Sequence, residues 1–156
     1  MSQKLIDEIK TAFLSNHEPP DERLIVKNFE TRAEPYEVYQ ILRGKRWQEI
    51  EFADLIYLTQ NFPNLTDIGF QYYLPAFLIA ALDDNSGDLE TFLVFSLTLR
   101  GTFNQHKLQE FKTRMSGFST KQRLVVLKYL SLFYSHNPVY VDADSRHTIE
   151  FWRDKL

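Results

Sequence analysis

Three cations and an indole fall within five residues in the stretch Arg43-Gly44-Lys45-Arg46-Trp47-Gln48-Glu49. A guanidinium from Arg43 or Arg46 can fork onto a carboxylate or phosphate, Lys45 adds a point charge, and Trp47 offers a stacking face. The chemistry on offer is the binding of an anion or of an acidic partner. The same residues also have a plain structural use. Cations beside a helix that ends at Gly44 stabilise its negative pole, and an indole fills core. Further along, Tyr72 and Tyr73 precede Pro75 within an apolar run. Proline in a helix removes one hydrogen bond and crowds the carbonyl four residues back, here Gln71, at about 3 kcal/mol if nothing compensates. A kink there could floor a cleft lined by the two tyrosine hydroxyls, or could simply be a packing bend. Arg43, Lys45, Arg46, Trp47, Tyr72 and Tyr73 are thus the candidate binding residues.

Other chemistries find no footing in the residues. Asp83-Asp84-Asn85-Ser86-Gly87-Asp88 begins like a calcium loop, but glycine stands at the fifth place and aspartate at the sixth, where the loop needs a ligand and then glycine. A solvated turn that caps the next helix accounts for it. None of His17, His106, His136 and His147 has a second histidine at metal-ligand spacing, and His106 stands four residues before Glu110. An i, i+4 ion pair is the expectation there, because zinc would need two more ligands. The five glycines are scattered singly, so no phosphate loop is present, and no Gly-x-Ser-x-Gly elbow exists. No catalytic residue, metal or cofactor is expected.

The elements that must position these residues follow from periodicity and breakers. Leu5, Ile9, Ala12 and Phe13 share one side of a first helix opened by Ser2 and running to about Ser15; the prolines at 19 and 20 then break the chain. Residues 23–31 alternate poorly and read as loop or a short extended piece. Pro35 opens a helix through Leu42, with Gly44 as its stop. Leu55, Leu58 and Phe62 carry the next helix, closed by Pro63. Thr66 caps a long helix to about Asp83 that is apolar all round, from Phe70, Tyr73, Leu74, Phe77 and Leu78 on one side to Ile68, Tyr72, Ala76 and Ile79 on the other. Such a helix belongs at the centre of a protein.

Residues 89–99 are ambiguous. Leu89, Phe92, Leu93 and Leu97 suit a helix, whereas Phe95-Ser96-Leu97-Thr98-Leu99 alternates like a strand; a lone strand would lack a partner, which favours helix. Asn104 to Met115 is amphipathic, with Leu108 and Phe111 inward. Ser119-Thr120-Lys121-Gln122 is a capping box that opens an apolar helix from Arg123 to Tyr134. A last helix spans residues 143–155 and carries Ile149 and Trp152. The expected fold is all-α: one domain over residues 1–156, an irregular bundle of about seven or eight helices around two buried ones.

Composition agrees with a well-supplied core. The 156 residues are 44% apolar and 15% aromatic, and each buried aromatic removes about 150–250 Å² from water. The absence of cysteine excludes disulfides and thiolate chemistry and suits a reducing compartment. The charged N-terminus does not read as a secretory signal, and the longest uncharged run, residues 68–82, falls short of the ~20 residues of a membrane span. A cytoplasmic protein without a membrane partner is expected. Net charge is −3, and the basic stretch from Arg100 to Lys128 holds seven cations against Glu110 alone. In a mildly acidic chain this reads as solvated helix faces rather than a nucleic-acid footprint.

Arg43-Gly44-Lys45-x-Trp47-x-Glu49 together with Tyr73-Leu74-Pro75-Ala76-Phe77-Leu78 and the later Phe95-Ser96-Leu97 resembles a family of small bacterial proteins catalogued as a domain of unknown function. The resemblance spans most of the chain and implies a bacterial, cytosolic origin; it brings no reaction or catalytic residue with it. The leading expectation for function is a non-enzymatic protein-interaction domain, the class to which adaptors and toxin-neutralising immunity proteins belong, with another protein as partner. The alternative is a small-ligand-binding protein or enzyme whose pocket lies between Trp47 and the kink at Tyr72, Tyr73 and Pro75. A weak nucleic-acid binder acting through residues 100–128 comes third.

Overall fold

A computed structural model describes residues 2–83, 86–100 and 104–154. Among them are eight α-helices and no strand: α1 (Ser2–Phe13), α2 (Ala33–Leu42), α3 (Phe52–Thr59), α4 (Asp67–Ala81), α5 (Asp88–Leu97), α6 (Gln105–Met115), α7 (Thr120–His136) and α8 (Ala143–Arg153). The chain is an all-α helical bundle. Backbone contacts group it into two compact units, residues 15–93 and residues 1–14 with 94–156, and the boundary falls inside α5.

In the unit of residues 15–93, α4 is buried along almost its whole length, as its all-round apolar sequence requires. Thr66 caps it by accepting the Gly69 N–H at 3.0 Å and donates its own hydroxyl to the Arg23 carbonyl. The poorly alternating segment 23–31 is mostly turn, running between 3-10 turns at Asp21–Arg23 and Phe29–Thr31, with one bridge residue, Ile25. Ile25 pairs with Leu65 in an isolated antiparallel bridge, flanked by bonds from Val26 N–H to Asn64 and from Thr66 N–H to Leu24. That approach is close enough to demand glycine at 69: a Cβ there would lie 2.4 Å from the Leu24 carbonyl oxygen. Phe62 meets Phe70 and Phe77 edge-on, with ring centroids 5.4 and 4.8 Å apart. α4 is continuous through Pro75. The expected helix over 52–62 stops at Thr59, and Pro63 lies in a separate 3-10 turn at Phe62–Asn64. α2 starts two residues before Pro35, with Arg32 as its cap, and Gly44 takes the positive φ of 68° that lets the chain turn away.

In the other unit, α7 packs against α1 and α8. The capping box is present: Gln122 N–H donates to Ser119 Oγ and Ser119 N–H to Gln122 Oε1. The same glutamine donates from Nε2 to the Ala12 carbonyl in the last turn of α1. Asp142 and Ser145 form a second box at the start of α8. Trp152 is fully buried, and its Nε1–H donates to the Leu97 carbonyl at 3.2 Å. Residues 88–97 are helix rather than strand. The turn at 83–88 lies partly outside the described residues, and Asp88 is the first residue of α5 rather than its cap. In α6 the expected inward residues Leu108 and Phe111 are only half-buried, and Met115 is the buried one. That short helix rests on the core by its last turn.

Candidate functional site

The stretch 43–49 and the tyrosines of α4 do come together. Tyr73 donates its hydroxyl to the carbonyls of Leu42, at 3.2 Å, and Lys45, at 2.8 Å, pinning the turn after α2 onto the centre of α4. Tyr72 stacks edge-on against Tyr73, with centroids 4.8 Å apart. The three rings face inward, Trp47 and Tyr72 each 5% exposed and Tyr73 1%. Burial pushes both phenols above their ordinary range. For Tyr72, Glu18 adds to the rise, while the Trp47 backbone N–H and the Arg46 guanidinium pull the other way.

The cations stay outside. Lys45 Nζ lies 3.7 Å from the Asp54 carboxylate, and Arg46 pairs with Glu49 at 3.4 Å. Glu49 also accepts the Arg46 backbone N–H at 2.6 Å, which holds its carboxyl below the usual range, and the turn Trp47–Glu49 is closed by this contact. Arg43 is exposed. Chemically, the segment presents a cationic rim over a closed aromatic floor.

The basic stretch 100–128 does not act as one face. Arg123 sits inside the protein at 3% exposure, contrary to the expectation of solvated helix faces. Its guanidinium donates to the carbonyls of Met115 and Phe151 and lies 4.9 and 5.0 Å from the Phe151 and Trp152 ring centroids. Lys128 pairs with Glu8 at 2.6 Å, and His106 pairs with Glu110 on the surface as expected.

A groove that the sequence reading missed runs along α1 and α7. Lys4, Asp7, Glu8 and Thr11 line it from α1, and Lys121, Leu124, Val125 and Lys128 from α7, with Ala12 completing the floor; it encloses about 380 Å³. Each set of four follows i, i+3, i+4, i+7, the spacing of one helix face. Its floor is apolar, and Leu124 is 39% exposed. Asp7 is engaged by the Gln3 amide at 2.9 Å and Glu8 by Lys128. Among the described residues, Lys4 and Lys121 are in no ion pair. The signal was available in the sequence, since Leu124 is the apolar residue between Lys121 and Lys128 on the side of α7 away from Val126 and Leu130.

Among the described residues no group of three or more His, Asp or Glu is placed to hold a metal ion, and no helix is long and apolar enough to cross a membrane. Capped helices, an aromatic core and two charge-rimmed surfaces belong to an all-α helical protein. The chain belongs to the family of unknown function DUF6714, whose model matches residues 1–156. No curated protein and no solved structure matches it.

Proposed function

We propose that this protein is a non-enzymatic interaction domain that receives an acidic amphipathic helix of a partner protein in the α1–α7 groove. The observation that carries the reading is the groove itself: two parallel-spaced stripes, an apolar floor at Ala12, Leu124 and Val125, and a rim on which Lys4 and Lys121 lack carboxylate partners among the described residues. A third helix is the natural occupant of a trough between two packed helices, with apolar anchors at i, i+3, i+4 and i+7 on the floor. The stripes are about 10 Å long at 1.5 Å per residue, so about two helical turns fill them. Acidic residues flanking those anchors would meet the two lysines and favour encounter and register. The lack of cysteine and the resemblance to bacterial proteins suit a bacterial cytosol, where immunity-type partners of this chemistry would be met. The alternative, a ligand pocket beside Trp47, Tyr72 and Tyr73, has less support because all three rings are turned inward.

Titration of isotope-labelled protein with a designed acidic amphipathic peptide of about 18 residues, long enough to sustain a helix, tests this. Saturable amide shifts at Ala12, Leu124 and Val125 are expected, weakened about tenfold or more by Leu124→Asp. Shifts confined to other helices, or none with a peptide that is helical in solution, would overturn the reading.

A further inference from the structure

A second cavity in the unit of residues 1–14 and 94–156, separate in its lining from the α1–α7 groove, carries charges of both signs. It holds about 140 Å³ and is lined by Phe95 of α5, Thr98 just after it, Arg100, Tyr134 of α7, Tyr140, and Asp142, Asp144 and Ser145 at the start of α8. The volume is close to that of a cavity able to hold benzene, about 150 Å³, so a ligand of roughly six heavy atoms fits.

Each polar group has a definable free valence. Thr98 donates its hydroxyl to the Val94 carbonyl at 2.7 Å, and with that proton engaged the 3.2 Å contact between Thr98 Oγ1 and Tyr134 Oη is open to the tyrosine proton. Tyr134 is 9% exposed. Its phenol oxygen keeps acceptor lone pairs. Asp142 is committed, since its carboxylate caps Ser145 N–H at 2.8 Å. Asp144 is half-buried, and among the described residues it is in no ion pair. Arg100 lies with its guanidinium carbon 3.8 Å above the Phe95 ring centroid. Arg100 is exposed and is in no ion pair among the described residues, so its guanidinium is open to a carboxylate.

A cation donor and an anion acceptor thus line one small cavity with no ion pair between them among the described residues, although Arg100 also acts on the Asp142 carboxylate, and a buried hydroxyl with acceptor lone pairs stands beside them. We propose that this cavity binds a small zwitterion, an amino acid of glycine or alanine size. Its carboxylate takes the Arg100 fork, and its ammonium donates to Asp144 and to Tyr134 Oη, with the Tyr140 ring as a further cation-attracting wall. The side chain has room for a methyl group and little more.

The test is a titration of the full chain with L-alanine, followed by amide shifts at Thr98, Tyr134 and Ser145, with acetate and methylammonium as single-charge controls. Saturable binding of L-alanine with Kd on the order of 1 mM or tighter is expected, and each control should bind at least about tenfold more weakly. Arg100→Ala and Asp144→Asn should each weaken L-alanine about tenfold or more while Tm stays near that of the wild type. Tyr134→Phe keeps the ring and removes the acceptor, and should weaken ammonium-bearing ligands without changing the response to acetate. Acetate binding as tightly as L-alanine would overturn the assignment in favour of an anion site, and methylammonium doing so would leave a cation site alone. No saturable shift with any of the three would leave only a solvated helix cap.

Discussion

Arg123 shows how far a residue's role can depart from its local sequence. Burial works against its charged form and lowers its pKa, and no carboxylate among the described residues is in an ion pair with it. What stabilises the guanidinium is the pair of carbonyls it reaches, Met115 at the last residue of α6 and Phe151 in the last turn of α8. Both lie at the negative poles of helices, where a cation is favoured. Arg123→Met should destabilise the fold by about 2–4 kcal/mol in urea unfolding, because it strands one buried and one partly buried acceptor. A loss below about 0.5 kcal/mol would mean that those carbonyls find water. Gly69 is the second such residue. Alanine there would drive a methyl group into the Leu24 carbonyl, and an overpacking loss of about 1–3 kcal/mol is expected by the same measurement. Neither role was visible in the sequence, since Met115, Phe151 and Leu24 lie on other elements of the fold. Tyr73 was partly visible: a tyrosine in an apolar helix must find an acceptor, but only the fold reveals that it is the Leu42–Lys45 turn.

At the scale of elements the sequence was most readable where chemistry is local. Thr66 and Ser119 announce their helices because a hydroxyl followed by free N–H groups needs nothing distant to act. Ser119→Ala should cost about 1 kcal/mol and loosen the start of α7, seen as faster hydrogen exchange at residues 121–123. Asp142 went unread as a cap, although its aspartate-to-serine box follows the same logic. Hydrogen bonds from Ser145 hold its carboxyl below the ordinary range. The native pKa is depressed, so the contribution of this cap is present above the unfolded value near 4 and is lost as pH falls through the native one. Asp142→Asn should flatten that part of the acid-unfolding curve; an unchanged acid limb would show that the cap carries no charge-dependent stability. Residues 89–99 could not be decided by periodicity alone, because Phe95, Leu97 and Leu99 alternate while Leu89, Phe92 and Leu93 recur at helical spacing. The helix stops at Leu97, and the Leu99 N–H turns to the Thr148 hydroxyl at 2.8 Å, which explains why that end looked like a strand.

For the whole molecule, hydrophobic period gave the all-α class, because an apolar helix such as α4 can be satisfied only by burial. The division into two compact units was not readable, since the boundary at 93/94 lies within α5 and no change of composition or linker marks it. The candidate turn at 43–49 was read for its charges, yet its ring faces are closed by α4. The α1–α7 groove was passed over because its floor is made of three ordinary residues spread over two helices 110 positions apart. Charge at the rim of that groove is the proposed basis of partner choice. The most direct test is a charge swap: Lys4→Glu with Lys121→Glu, titrated with an acidic amphipathic peptide and its basic counterpart of identical apolar face. Wild-type protein should prefer the acidic peptide by about tenfold or more at low salt and the double variant the basic one, with both preferences shrinking as salt rises. An unchanged preference in the double variant would contradict the account.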